Sequence, residues 1–190
     1  YSGGYMDFGF WVKNDFGTLL YTSLTSKIDV KVKEGEEFWG IIDIEGYVLF
    51  QSLESIYLYN TVNQSFRIVD SDSRINKMFK VNETIYFQNT EVGIFKIENG
   101  KEALVMTASD IQNREIVNIY DVKNALLLLT KEDGFLVFED NKIKKWENNS
   151  KSTLSNKSIY SSAKLKDGSF VSGTIANGII QLDPDGKTLL

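Results

Sequence analysis

A six-residue turn that recurs five times constrains the fold of this chain more than any other feature. Glycine occupies the sixth position of four copies, and successive copies lie 37 to 47 residues apart. Each copy precedes an apolar or aromatic run of strand length, and all but the first also follow one. The copies are residues 4–9, 51–56, 88–93, 129–134 and 173–178. A repeat of about 40 residues with several short strands per copy is typical of β-propeller blades.

Each repeat predicts a four-stranded antiparallel meander, with strands a to d running from the propeller axis outward. In the second copy, the apolar runs and their alternation place strand a at 38–44, b at 47–52, c at 56–60 and d at 65–69. The glycines in the recurring turn are expected to supply positive φ between strands b and c. They are Gly9, Gly93, Gly134 and Gly178.

The sequence therefore predicts an all-β fold: a single β-propeller region over residues 1–190 with about five four-stranded antiparallel blades. The first blade is incomplete, because no part of the chain supplies its strand a. Because this inner strand is missing, we expect an arc of a larger propeller. An exposed strand edge promotes association, so the segment is expected either to lean on the rest of the parent propeller or to self-associate. The predicted blades are residues 1–27 (partial), 36–71, 75–110, 114–157 and 158–190.

Composition and charge exclude several function classes. The net charge is −5 and no stretch is densely basic, so this segment is not expected to contact nucleic acid. The chain has no cysteine and no histidine, which excludes a disulfide framework, Ser-His-Asp or Cys-His catalysis and ordinary zinc sites within it. No apolar run approaches the ~20 residues of a membrane-spanning helix.

The acidic residues favour turns over chemistry. The carboxylates fall mainly at predicted turns, where such side chains usually cap or solvate the backbone. Residues 70–73 and 183–186 resemble the spacing of calcium-loop ligands, but 183–186 has no distal glutamate and both are interpreted as β-turns. We therefore predict no catalytic residue, no metal and no cofactor.

Three residues are candidates for ligand binding. Trp39 lies on a predicted inner strand, close to the central channel, and an aromatic face can stack on a sugar ring. Gln51 and Gln88 occupy matching positions near the ends of their b strands. They either replace glycine at a wide position or present an outward amide to a polar ligand.

Several motifs permit a comparison with a known family. Residues 166–174, Lys-Asp-Gly-Ser-Phe-Val-Ser-Gly-Thr, are followed by Asn-Gly-Ile at 177–179. This order resembles a blade of the two-component regulator propellers, in which strand b ends in Gly-Thr and strand c begins with Gly and an aliphatic residue. Residues 47–52, 56–59 and 173–180 are similar to the first half of the triple-tyrosine-motif regulators with a LuxR-type DNA-binding end. The middle copies depart from the pattern, with Gln-Ser, Gln-Asn and Leu-Thr in place of Gly-Thr.

The resemblance implies an extracytoplasmic, periplasmic sensor propeller in a membrane-anchored signalling or transcriptional regulator, which would be non-catalytic. Its implied partners are a small-molecule or glycan ligand, the remainder of the parent propeller and a second subunit in a homodimer. Two alternatives stay open. One is a scaffold propeller for protein–protein contacts, which an exposed apolar patch with a polar rim would favour. The other is a fragment of a carbohydrate-active enzyme, which would need converging carboxylates, one of them with a raised pKa.

Overall fold

The computed structural model describes residues 1–28, 32–123, 125–146 and 151–189. Residues 147–150, in the fourth predicted blade, and Leu190, in the fifth, lie outside the described residues. The chain divides into two compact units, Tyr1–Val105 and Met106–Leu190. Both units are built from antiparallel sheets in which each strand pairs with the next one along the chain.

The first unit contains three sheets, and the last strand of the third sheet runs two residues past the boundary at Val105. Its strands are β1 (Ser2–Gly3), β2 (Phe8–Lys13) and β3 (Leu19–Ser23) in the first sheet; β4 (Gly40–Ile44), β5 (Tyr47–Gln51), β6 (Ser55–Asn60) and β7 (Phe66–Asp70) in the second; and β8 (Ile75–Val81), β9 (Thr84–Asn89), β10 (Gly93–Glu98) and β11 (Lys101–Thr107) in the third. The second and third sheets are the predicted meanders a to d.

The second unit contains two sheets. Its elements are β12 (Ile116–Val122), β13 (Ala125–Thr130), β14 (Phe135–Glu139) and β15 (Lys142–Lys145) in the fourth sheet, the helical turn α1 (Lys151–Leu154), and β16 (Ile159–Lys164), β17 (Phe170–Thr174) and β18 (Ile179–Leu182) in the fifth. Within the described part of the fifth sheet, the place of strand d is taken by a single bridge between Leu182 and Thr188. The predicted all-β fold of four-stranded antiparallel meanders is confirmed.

The register of the strands corrects the alignment of the recurring turn. Gly3 pairs with Phe8 as Gln51 pairs with Ile56 and Gln88 with Ile94. Therefore β1 is the end of a strand b and β2 is a strand c. The position of Gly93 is occupied by Asp7 in the first copy and by Ser55 in the second.

The reason for this difference is the length of the turn. In the first two sheets, a backbone hydrogen bond closes the turn between residues that are three positions apart. The N–H of Gly4 donates to the Asp7 carbonyl, and the N–H of Ser52 donates to the Ser55 carbonyl. In the fourth and fifth sheets, the closing hydrogen bond joins residues that are four positions apart, Thr130 to Gly134 and Thr174 to Gly178. Both of these glycines have positive φ. The positive φ predicted for Gly93, Gly134 and Gly178 is confirmed. The prediction for Gly9 is wrong, because Gly9 lies inside β2 and does not have positive φ.

Within each unit, the core lies between sheets that pack face to face. Alternate residues of β5 and β6 point to opposite neighbours, so Phe50 and Tyr57 pack on the first sheet while Leu49 and Ile56 pack on the third. Both faces of the second sheet are therefore buried. This explains why its b and c strands are almost continuously apolar or aromatic.

Candidate functional site

A cavity of about 140 Å³ lies in the first unit, between the loop that precedes β4 and the turn between β5 and β6. The loop contributes Lys33, Glu34, Gly35, Glu36, Glu37 and Trp39, and the turn contributes Ser52, Leu53 and Glu54. Trp39 is the one aromatic side chain in this lining.

Trp39 is held by the backbone while its ring stays in solvent. Its N–H donates to the Gln51 carbonyl at 2.9 Å, which extends the β4–β5 pairing by one residue. Phe38, the preceding residue, is buried in the core between the first and second sheets. Since successive side chains of extended backbone point to opposite sides, the Trp39 ring points outward and is 69% exposed. The sequence placed this residue on strand a, whereas β4 begins one residue later.

Glu36 fixes the loop that forms one wall of the cavity. It is buried, and its carboxylate accepts hydrogen bonds from the Ser52 hydroxyl (2.5 Å), the Tyr57 hydroxyl (2.8 Å) and the Lys33 backbone N–H (3.2 Å). Burial raises the pKa of Tyr57 well above its ordinary value, and the bond to Glu36 adds to this effect. The phenol therefore stays protonated and keeps donating to Glu36.

The cavity has an acidic rim. The carboxylates of Glu34, Glu37 and Glu54 are exposed, while the Nζ of Lys33 lies 3.2 Å from Glu54 and 3.7 Å from Asp70. Partial burial acts to lower the pKa of Lys33, but the hydrogen bond to Glu54 and the surrounding carboxylates outweigh it and raise the pKa. Lys33 is therefore cationic, and the acidic side chains around it outnumber it.

The two candidate glutamines are both buried. The Gln51 amide bridges two sheets: its Nε2 donates to the Ile75 carbonyl at 3.2 Å, and its Oε1 accepts from the Met78 N–H at 3.0 Å. This gives Gln51 a structural role in joining the second sheet to β8. Gln88 lies at the matching position of the third sheet, away from the Trp39 cavity. A ligand role for either residue stays a prediction.

The acidic turns have local hydrogen-bonding roles. Asp183 accepts from the backbone N–H groups of Asp185 and Lys187 at 3.0 and 2.7 Å. In residues 70–73, the second stretch with calcium-loop spacing, the hydroxyls of Ser71 and Ser73 form hydrogen bonds with the side-chain amide of Asn89. Among the described residues, no group of three or more carboxylates is arranged to hold a metal ion.

Asp7 organises the b–c turn of the first sheet. Its carboxylate accepts from the hydroxyls of Ser23 (2.7 Å), Thr25 (2.8 Å) and Tyr21 (3.0 Å). Burial acts to raise the pKa of Asp7, but these hydrogen bonds outweigh it and hold the pKa below its ordinary 3.8. Hydrogen bonds from Thr107 and Ser169 likewise lower the pKa of Asp110 and Asp167. A carboxyl group that acts as a catalytic general acid requires a pKa that is raised, not lowered.

We expect Asp7→Asn to lower the free energy of unfolding at neutral pH by about 1–2 kcal/mol, because charge-assisted hydrogen bonds are lost. The folded-state pKa is below the unfolded one, so the wild-type advantage is complete above the unfolded pKa and disappears as the pH falls through the folded pKa. Urea denaturation of both proteins from neutral to strongly acidic pH checks this. Asp15→Asn, an exposed turn variant, is the matched control, and an advantage that persists unchanged in acid contradicts the prediction.

Within the described residues, no helix has the length and apolar character needed to cross a membrane.

No family model matches the sequence, and no curated protein matches it. Solved structures do match. The extracellular domain of BT4673 from B. thetaiotaomicron, described as a hybrid two component system, is 16% identical with a TM-score of 0.64, over 94% of this chain and 25% of that one. The WD40 β-propeller domain of Doa1 is 13% identical with a TM-score of 0.68, over 99% of this chain and 62% of that one.

BamB from Moraxella catarrhalis is 8% identical with a TM-score of 0.56, over 77% of this chain and 44% of that one. The chain thus spans a quarter of the length of the BT4673 domain and less than two thirds of the other two. At these identities the likeness shows the fold alone. The face-to-face antiparallel meanders of this chain are blades of a β-propeller.

Proposed function

We propose that this chain is the ligand-binding segment of an extracytoplasmic sensor propeller, in a membrane-anchored signalling or transcriptional regulator. The proposal is supported by the fold shared with the extracellular domain of BT4673 and by the blade motifs of residues 166–179. The remainder of a larger propeller and a second subunit complete the proposed assembly. Ligand binding would shift that assembly toward one of two arrangements. The size of the shift is set by the difference between the ligand's affinities for the two arrangements.

The observation that carries the ligand site is the exposed ring of Trp39 beside a cavity with polar walls. An indole that is 69% exposed, although its own backbone is held in the sheet, offers a rigid face for stacking on a sugar ring. Lys33 and Glu54 line the same cavity and provide ammonium and carboxylate groups for sugar hydroxyls. Ligand sites combine an apolar face with a few polar groups in this way.

The charge of the rim narrows the ligand class. Since the lining of the cavity carries three exposed carboxylates, Glu34, Glu37 and Glu54, and one cation, Lys33, a uronate or sulfated sugar would meet like charge. We therefore expect neutral or amine-bearing saccharides to bind in preference to acidic ones.

Trp39→Ala should weaken saccharide binding by a factor of about 10 or more, because a central aromatic contact is removed. Saturation-transfer NMR with neutral, amine-bearing and uronate oligosaccharides identifies a ligand, and calorimetry then compares the variants. Tyr160→Ala removes an exposed aromatic residue of the second unit and should leave the affinity unchanged. The proposal fails if no saccharide of any class binds, or if Trp39→Ala binds as well as the wild type.

A second candidate function is a scaffold for protein–protein contacts. It is favoured by exposed apolar and aromatic residues on the first sheet, among them Trp11, Leu19 and Leu20. The Doa1 domain shows that WD40 propellers share the fold. Retention of a specific protein partner by the wild type and by Trp39→Ala, without saccharide binding, would favour this function.

A further inference from the structure

The Trp39 cavity adjoins two further cavities of the first unit. A cavity of about 490 Å³ shares Lys33, Leu53 and Glu54 with it and continues over residues 71–74, the loop between β7 and β8. A third cavity, of about 230 Å³, shares the first three residues of this loop with the second and reaches the turn between β9 and β10. Since neighbouring cavities have walls in common, the three form one groove, which we call the Trp39 groove.

The strand order places the groove at one end of the blades. In an antiparallel meander, strand b ends and strand c begins at the same end of the sheet at which the chain enters strand a. The groove is lined mainly by the b–c turns of the second and third sheets and by the loops that lead into their strands a. Both sheets have all four strands, so the second and third cavities are formed between complete blades.

Backbone hydrogen bonds tie the walls of the groove together. The Ser71 N–H donates to the Glu54 carbonyl at 2.8 Å, which joins the loop at 71–74 to the b–c turn of the second sheet. On the other side of this loop, the Thr90 N–H donates to the Arg74 carbonyl at 3.0 Å and joins it to the b–c turn of the third sheet. Walls that are already held in place lose little freedom when a ligand binds.

The far end of the groove offers apolar surface, as the Trp39 end does. In the third cavity, Val92 is 44% exposed, and the half-buried ring of Phe95 stacks on that of Phe87 at 5.2 Å. Between the two ends, the exposed side chains of Asp72 and Arg74 provide polar groups for sugar hydroxyls. Apolar surface beside a few polar groups is therefore present along the whole groove.

The volumes indicate a ligand that is longer than the Trp39 cavity. Pockets that enclose small ligands typically measure ~300–1,000 Å³. The cavity of about 140 Å³ at Trp39 is too small for this, whereas the adjoining one of about 490 Å³ supplies the missing room. We propose that the ligand is a linear oligosaccharide that lies along the Trp39 groove, with one ring on Trp39 and further units over residues 71–74 toward Val92. This inference rests on the saccharide-binding function proposed for the Trp39 site.

Calorimetry with oligosaccharides of increasing length, from disaccharide to hexasaccharide, tests this with the 190-residue chain. The series are β-linked glucose oligomers, β-linked glucosamine oligomers and oligomers of any other saccharide that saturation-transfer NMR identifies. For the wild type, affinity should rise by a factor of about 10 or more with length and then level off, because the added units fill the second and third cavities.

Asp72→Arg should remove this gain with length, because it places a long side chain at a residue that lines both the second and the third cavity. Asp72 lies outside the Trp39 cavity, so the affinity for the disaccharide should stay that of the wild type. Asp15→Arg, which makes the same change of charge at an exposed turn outside the groove, should bind every length like the wild type. Circular dichroism confirms that the variants are folded, and Val92→Arg replaces Asp72→Arg if that variant is not.

The outcomes separate this inference from the proposed function. If Trp39→Ala weakens binding of the disaccharide but longer oligomers bind no more tightly than the disaccharide, the inference is overturned and the Trp39 site stands. A gain with length that survives in folded Asp72→Arg or Val92→Arg overturns it as well. If no saccharide of any length binds, the proposed function itself is wrong, and this inference is wrong with it.

Discussion

Phe8→Ala should lower the free energy of unfolding by about 3–5 kcal/mol, the largest effect expected of any substitution discussed for this protein. The Phe8 side chain is fully buried, and its ring stacks on that of Phe50 at 4.3 Å. It also contacts the rings of Phe38 (4.7 Å) and Tyr57 (5.3 Å). Truncation removes these contacts and leaves a cavity between two sheets that are closely packed.

Urea denaturation followed by far-UV circular dichroism measures the change. Phe16→Ala is the matched control, since Phe16 is 93% exposed in the turn between β2 and β3. The control should differ from the wild type by no more than about 0.5 kcal/mol. Equal effects of the two substitutions would mean that the first and second sheets are not packed through Phe8.

Glu36→Ala should lower the free energy of unfolding by about 3 kcal/mol, because buried donors lose their common acceptor. The hydroxyls of Ser52 and Tyr57 and the N–H of Lys33 all donate to this carboxylate. A neutral alanine cannot accept hydrogen bonds, and the space that it leaves is enclosed by these donors. The effect therefore exceeds that of removing a surface carboxylate.

Hydrogen exchange distinguishes this effect from a general loss of stability. In Glu36→Ala, the amides of residues 33–37 should exchange faster than those of β9 and β10 in the same sample, because the loop loses its anchor. Glu34→Ala removes an exposed carboxylate from the same loop and should leave both exchange and stability nearly unchanged. Uniform acceleration across the unit would argue against a local anchoring role for Glu36.

The strands of the second and third blades could be predicted closely because their signals are local. The b and c strands are short apolar runs separated by a turn, and both their spacing and their alternation are visible in the sequence. The alignment that the sequence predicts for the first copy is wrong, because its turn is one residue shorter and Gly9 is a residue of β2. The spacing between glycines in the sequence does not reveal which residues form the first pair between strands b and c after the turn.

The candidate site was predictable only in part. Trp39 stood out as an aromatic residue on an inner strand, and the structure places its ring at the cavity. Glu36 was missed, although the acidic stretch Lys-Glu-Gly-Glu-Glu at 33–37 was visible as a charged turn. Nothing in that stretch distinguishes the one glutamate that is buried from the two that are exposed. The sequence also does not reveal that the amide of Gln51 bonds to the backbone of β8.

The sequence alone determined the class of fold, since a repeat of short apolar runs separated by turns leaves few arrangements other than propeller blades. It also determined that histidine and cysteine chemistry are absent from this chain. The three-dimensional packing was needed to show which polar groups are buried, which turns contain a glycine with positive φ and which aromatic side chains stay exposed. The reason is physical: pairing within a blade depends on neighbours in sequence, whereas the burial of Glu36, Gln51 and Trp11 depends on whether another sheet lies against them.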